Sequence, residues 1–280
     1  RYPDARIVGR NDHVGTPRRF RRDAAMAAVV AQHTHRLARQ LRVGRVDVDE
    51  VDLAAGQRVR AEANRLDPAG HPYFAALAGV RVSAHLFIRR RGELIQFVPF
   101  SARAWHAGAS HWREIDDVNS ASIGIEIVNG GHDFGLPDFP GVQIAAVIAL
   151  TQDIMARHGM GRDVVVAHSD VAPGRKRDPG ERFPWNGLAE RGVALHVEPV
   201  PVGGGRFLAP GDTGEPVAAL QSMLALYGFD ANADGVFGEA TRIQVEAFQR
   251  RHRPAQVDGI ADMSTIETLN RLLRLYPSFS

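Results

Sequence analysis

The chain has 280 residues, 44% hydrophobic and 24% charged, a length and balance that suit two domains of ordinary globular composition. It has no cysteine, which excludes disulfides, thiolate metal sites, iron–sulfur clusters and a cysteine nucleophile, so any metal must sit on carboxylates and the 12 histidines. The 34 basic residues against 32 acidic ones leave a net charge of +2, with no concentrated basic face for nucleic acid and no apolar run long enough to cross a membrane.

Residues 1–66 are rich in Arg, Ala, Val and Asp, with weak periodicity and no signal-peptide pattern. Residues 67–192 read as a mixed α/β domain. Val80 to Ile88 predicts a buried strand, and Gly92 to Val98 a second one after a basic turn. Ser122-Ile123-Gly124-Ile125-Glu126-Ile127-Val128 is a further apolar strand. Val142 to His158 spaces its apolar residues as a helix does, and Asp163 to His168 is a short strand ending in a histidine. The stretch 193–205, with its prolines and glycines, is a linker signal. Residues 206–275 form a small helical unit of three helices, the second capped by Thr241 and the third by Ser264. Asp234-Gly235 and Asp258-Gly259 repeat one turn design between those helices.

The sharpest chemistry lies in His168-Ser169-Asp170-Val171-Ala172-Pro173-Gly174-Arg175-Lys176-Arg177-Asp178-Pro179-Gly180. A strand-end histidine followed by an aspartate on a stiffened loop can offer nitrogen and oxygen to one metal, and zinc accepts such ligands. The plainer alternative is a satisfied strand-end His168 and a turn-forming Asp178. Glu126 alternates with Ile125 and Ile127 and so points to the other side of the sheet. It is either a general base or a solvent-facing strand residue. Lys176 is the only lysine, in a chain that otherwise uses arginine. It is either a compact ammonium for a developing oxyanion or a solvated loop residue. Trp105-His106-Ala107-Gly108 is either a surface that a sugar or peptide approaches or a core Trp beside a surface His. His85 reads as structural.

His71-Pro72-Tyr73-Phe74, Val82-Ser83-Ala84-His85, Arg103-Ala104-Trp105-His106-Ala107-Gly108, the Ser122 to Glu126 strand and the His168 to Gly180 block follow one another in order. Together they resemble the zinc-dependent N-acetylmuramoyl-L-alanine amidases of the type 2 family, near the branch that recycles anhydro-muropeptides. The resemblance implies an α/β fold with a mixed β-sheet flanked by helices. It also implies hydrolysis of the amide between N-acetylmuramic acid and L-alanine, with His168 and Asp178 as zinc ligands, Glu126 as base and Lys176 stabilising the oxyanion. Gly211-Asp212-Thr213-Gly214, Asp234 to Gly238, Thr241, Phe248-Gln249 and Asp258-Gly259 resemble a peptidoglycan-binding module. Peptidoglycan or a muropeptide is then the partner, and the periplasm or cell envelope the location, with the cytoplasm as the alternative.

The family's third zinc ligand is a His at the end of the first core strand. Here Ala27 to Ala31 is either that strand, making His33 the ligand with His35 next, or part of an Ala/Arg-rich helix that supplies neither. The texture of the first 60-odd residues also fits a GC-rich gene read out of frame, which the nucleotide sequence would test. The rival function is a non-catalytic peptidoglycan-binding protein that lacks a complete zinc site.

Overall fold

The computed structural model describes the backbone of Met26–Val30 and residues 82–276. His33, His35, the His71 to Phe74 motif and the remainder of segment 1–66 lie outside the described residues. Strand β1 is Met26–Val30, β2 Leu86–Ile88, β3 Leu94–Gln96, β4 Ser122–Ile127 and β5 Val165–Ala167. Among the described residues they form one sheet in the order β3-β2-β4-β1-β5. β1 pairs in parallel with β4 and β5, β2 pairs in parallel with β4, and β2 and β3 are antiparallel, so the sheet is mixed.

The strands are shorter than the apolar runs suggest, for identifiable reasons. In place of the predicted strand from Val80, of which Val80 and Arg81 lie outside the described residues, the ladder begins only at Leu86. The ring of His85 takes it over, Nδ1 accepting the Gly124 N–H at 3.1 Å while Nε2 donates to Ala102 O at 3.0 Å. The Gly92 to Val98 run contributes only β3, because the Phe97 and Val98 N–H groups both turn to His85 O. At the other edge β5 stops at Ala167, whose N–H is taken by the Asp170 carboxylate at 2.8 Å. His168 therefore opens the one-turn helix α3, His168–Val171, and does not end a strand.

Ile123, Ile125 and Ile127 of β4 are fully buried against the helix α2, Gly141–His158, through Val147, Leu150 and Ile154, and against Phe183, Trp185 and Leu188. Trp185 and Leu188 belong to the short helix α4, Trp185–Glu190; helix α1, Val118–Ala121, leads into β4. Period-2 alternation leaves Gly124 and Glu126 on the opposite face of β4.

The C-terminal unit comprises α5, Glu215–Tyr227, α6, Glu239–His252, and α7, Met263–Leu273. Two buried glutamines organise its turns. Gln221 donates to Asp234, to Val236 O and to the Thr241 hydroxyl, and accepts the Gly235 N–H. Gln249 repeats the arrangement with Asp258, Ile260 O, the Thr265 hydroxyl and the Gly259 N–H. Thr241 is thus inside α6 and serves the Gln221 bond, not the helix cap. The cap of α7 is Asp262, accepting the Thr265 N–H at 2.8 Å, while Ser264 donates to Val200 O at 2.5 Å. The Val200 N–H goes to Thr268, so the Pro/Gly stretch lies along α7. One apolar core runs through both halves, joining Trp112, Val118, Val166 and Val171 to Val217, Leu224, Tyr227 and Phe248.

Candidate active site

The register of β1 puts Val30 opposite Glu126 on β4 and Val29 opposite Ala167 on β5. With neighbouring strands about 4.8 Å apart, Glu126 and the residue after Ala167 flank the same strand end, about 10 Å from one another. In open sheets with parallel strands, ligands bind outside the carboxyl ends of those strands. Glu126 is 7% exposed, so it is not the solvent-facing residue of the plainer reading.

His168 follows β5 and is fully buried. Its Nε2 meets Ala107 O at 3.2 Å and its Nδ1 meets Asp178 Oδ2 at 2.9 Å. If Nε2–H is given to the carbonyl, a neutral His168 turns a lone pair toward a carboxylate, and two acceptors face each other. Such a pair requires a proton or a metal cation between them. A backbone carbonyl fixing the far nitrogen is also the usual support of a metal-bound imidazole. One nitrogen and one carboxylate oxygen fit zinc in kind, and are one donor short of the three protein ligands a catalytic zinc keeps. Among the described residues, no group of three or more His, Asp or Glu is gathered to hold a metal ion.

Lys176 lies on the same loop, half-buried, with its N–H on Ala172 O at 3.0 Å. The loop also brings in Arg175, which the sequence reading passed over. Its Nε donates to Ala109 O at 3.0 Å, and Nη2 donates to Ala107 O and lies 3.5 Å from His168 Nε2. Partial burial draws its pKa below the ordinary guanidinium value, while the Asp178 charge pulls it back up. Asn119 supports the same segment, its Oδ1 accepting the N–H groups of His106 and Ala107 at 2.8 Å each.

The Trp105-His106 pair does not follow the reading of a core Trp beside a surface His: Trp105 is 37% exposed with the Arg103 guanidinium 4.0 Å from its ring centre, and His106 is buried. The His106 ring occupies the space a side chain at Gly124 would need; a Cβ there would come within 2.3 Å of it. Nε2 donates to Ser122 Oγ at 2.8 Å, which in turn donates to Val118 O at 2.6 Å. Burial, then the neighbouring His85 and His168, pushes its pKa down to about 3, so it is neutral in any functional range. Burial likewise lowers His85. Both rings meet at Gly124 of β4, with their centres 5.5 Å apart. The one signal for His106 was the glycine two positions before Glu126.

Comparisons with known proteins bear on the family and the fold. A family model for N-acetylmuramoyl-L-alanine amidase matches residues 55–181, and one for a peptidoglycan binding domain matches residues 213–269. The chain is 38% identical over 216 residues to the N-acetylmuramoyl-L-alanine amidase AmiD of Escherichia coli (strain K12), covering 72% of this chain and 77% of that protein. It is 44% identical over 123 residues to the 1,6-anhydro-N-acetylmuramyl-L-alanine amidase AmpD of the same organism, 43% of this chain and 63% of that protein. The solved structure of E. coli AmiD in complex with anhydro-N-acetylmuramic acid-L-Ala-D-gamma-Glu-L-Lys is similar with a TM-score of 0.64 at 29% identity, covering 95% of this chain and 93% of that one. AmpDh3 from Pseudomonas aeruginosa in complex with anhydromuramic pentapeptide gives a TM-score of 0.61 at 25% identity, over 97% and 100% of the two chains.

Proposed function

The chain belongs to the N-acetylmuramoyl-L-alanine amidase family, and from that premise we propose that it hydrolyses the amide between N-acetylmuramic acid and the L-alanine of a peptidoglycan stem, using zinc held by His168, Asp178 and His33. The observation that carries the reading is the His168–Asp178 pair at 2.9 Å, which opposes two acceptors when Nε2–H is given to Ala107 O, beside the strand end that also bears Glu126. Zinc bound there supplies Lewis acidity to the scissile carbonyl and lowers the pKa of water toward neutrality.

The chain's own groups do the remainder. Glu126 takes the proton of the attacking water and passes it to the leaving amine of L-alanine. The Lys176 ammonium offsets the negative charge that builds on the carbonyl oxygen. Ala107 O holds the His168 ring in one orientation. His33, three positions beyond the β1 residue that pairs with Glu126, is the third ligand in this reading. The peptidoglycan-binding match over 213–269 favours polymeric wall as substrate and the periplasm or envelope as location. No helix among the described residues is long and apolar enough to cross a membrane.

Zinc stoichiometry on the purified chain, run beside His33→Ala and paired with hydrolysis of a muropeptide, tests the proposal. It expects about one zinc per chain by the three-ligand rule, lost together with cleavage in the variant. Zinc retained in His33→Ala moves the third ligand elsewhere. A parent chain with neither zinc nor cleavage leaves a wall-binding protein.

A further inference from the structure

The last turn of α6 carries Arg250, Arg251 and His252 and is capped by Arg253, all buried, which is an unusual setting for three arginines. Arg253 pairs within its own unit, with Asp258 and Asp262. The other two cross to the sheet-bearing half. Arg251 donates Nη1 to the fully buried Asp170 and Nη2 to Val165 O at 3.0 Å, and its guanidinium lies 3.9 Å from the centre of the Trp185 ring. Arg250 Nε donates to Glu181 Oε1 at 2.9 Å, whose other oxygen meets His132 Nε2 at 2.7 Å. A third contact is steric: a Cβ at Gly174 would come within 2.9 Å of Ile243 Cδ1, so α6 lies directly over the loop there.

These three contacts fall at 170, 174 and 181. They bracket Lys176 and Asp178, and the first of them falls two positions after His168. We propose that α6 is a positioning element of the amidase site, with Arg251, Ile243 and Arg250 holding loop 168–181 in the shape that presents its ligands. The inference rests on the functional reading of that loop given above. Its physical basis is that α3 is a single turn, too short to be stable alone. Asp170 ties that turn to β5 through the Ala167 N–H. Without Arg251 the same carboxylate is a buried charge with no countercharge; it gains by turning to water, and it carries His168 with it.

The test uses the full chain, with R251M, R250Q and I243A, and with R242Q as a control in an exposed pair of the same helix. Amide hydrogen exchange over residues 168–181 is read beside zinc affinity by chelator competition and beside kcat and KM. R250Q and I243A are expected to speed exchange in the loop about tenfold or more and to weaken zinc about 10–100-fold, as loss of outer support does elsewhere. Exchange in α5 and α7 stays unchanged, kcat falls more than KM rises, and R242Q matches the parent. R251M shows the same pattern more strongly; should it not fold, R250Q and I243A carry the test. Loop exchange unchanged in both overturns the proposal, and so does equal loosening of α5, α7 and the loop, which marks a general structural role. If the parent holds no zinc while the loop still loosens selectively, the bracing stands and the amidase-site reading fails.

Discussion

The two Gln-centred turns of the helical unit and the cleft of the sheet solve the same problem in opposite ways. Each turn satisfies buried polar groups with partners close in the chain: Gln249 reaches Asp258, Ile260 and Thr265, all within 16 positions. The cleft gathers Ala107, Glu126, His168 and Asp178 from separate strands and loops, and with Nε2–H of His168 given to Ala107 O it leaves two acceptors opposed. The turn has spent its polarity on its own stability, while the cleft holds polarity in reserve for something bound. A region that is polar, buried and incompletely matched is where chemistry is to be sought.

Substitutions in each region should therefore fail differently. The largest effect is expected from Glu126→Gln in the cleft. It should cut kcat by about 10²–10⁴, the usual worth of a general base, with a melting temperature equal to or above the parent's. A melting temperature that falls in step with activity would place the cleft in the same class as the turns. Next comes Gln249→Ala. It strips partners from the Asp258 and Gly259 N–H groups and from Ile260 O, and thermal or denaturant unfolding should show a loss of about 2–4 kcal/mol. Gln221→Ala should cost somewhat less, because one backbone N–H and not two loses its glutamine acceptor. A Gln249→Ala chain as stable as the parent would break the contrast.

The smallest effect is a pH dependence between the regions. Burial alone would raise the Glu181 carboxyl, but its hydrogen bonds and the charges of His132 and Arg250 hold it below the usual range. A depressed carboxyl contributes stability that is present above its unfolded pKa and is lost as pH falls through the folded one. The parent should thus lose stability faster than Glu181→Gln on acidification through and below the ordinary carboxylate range, measured by melting temperature against pH. Parallel curves for the two proteins would remove Glu181 from the contact.

How much of this was legible in the sequence follows the same division. The Asp-Gly turns are readable because their partners are close and their geometry is local. His168 and Asp178 are readable because one loop carries both, whereas alternation with the isoleucines gives the face of Glu126 and not its burial. The burial of His106 is not readable, since it depends on the absent side chain at Gly124, 18 residues away on β4. Nor are the early strand ends, where the His85 ring and the Asp170 carboxylate substitute for ladder partners. Arg251 looked like one more arginine in an arginine-rich chain, because its partner lies 81 positions earlier.

That separation has a meaning for how the protein is made. A ribosome adds about 5–20 residues per second, so the Asp170 carboxylate emerges roughly 4–16 s before the guanidinium that neutralises it. Through that interval the turn bearing His168 lacks its countercharge. On the proposed bracing, loop 168–181 takes its final shape only once α6 has been translated, which ties the birth of the activity to the presence of the part that directs it.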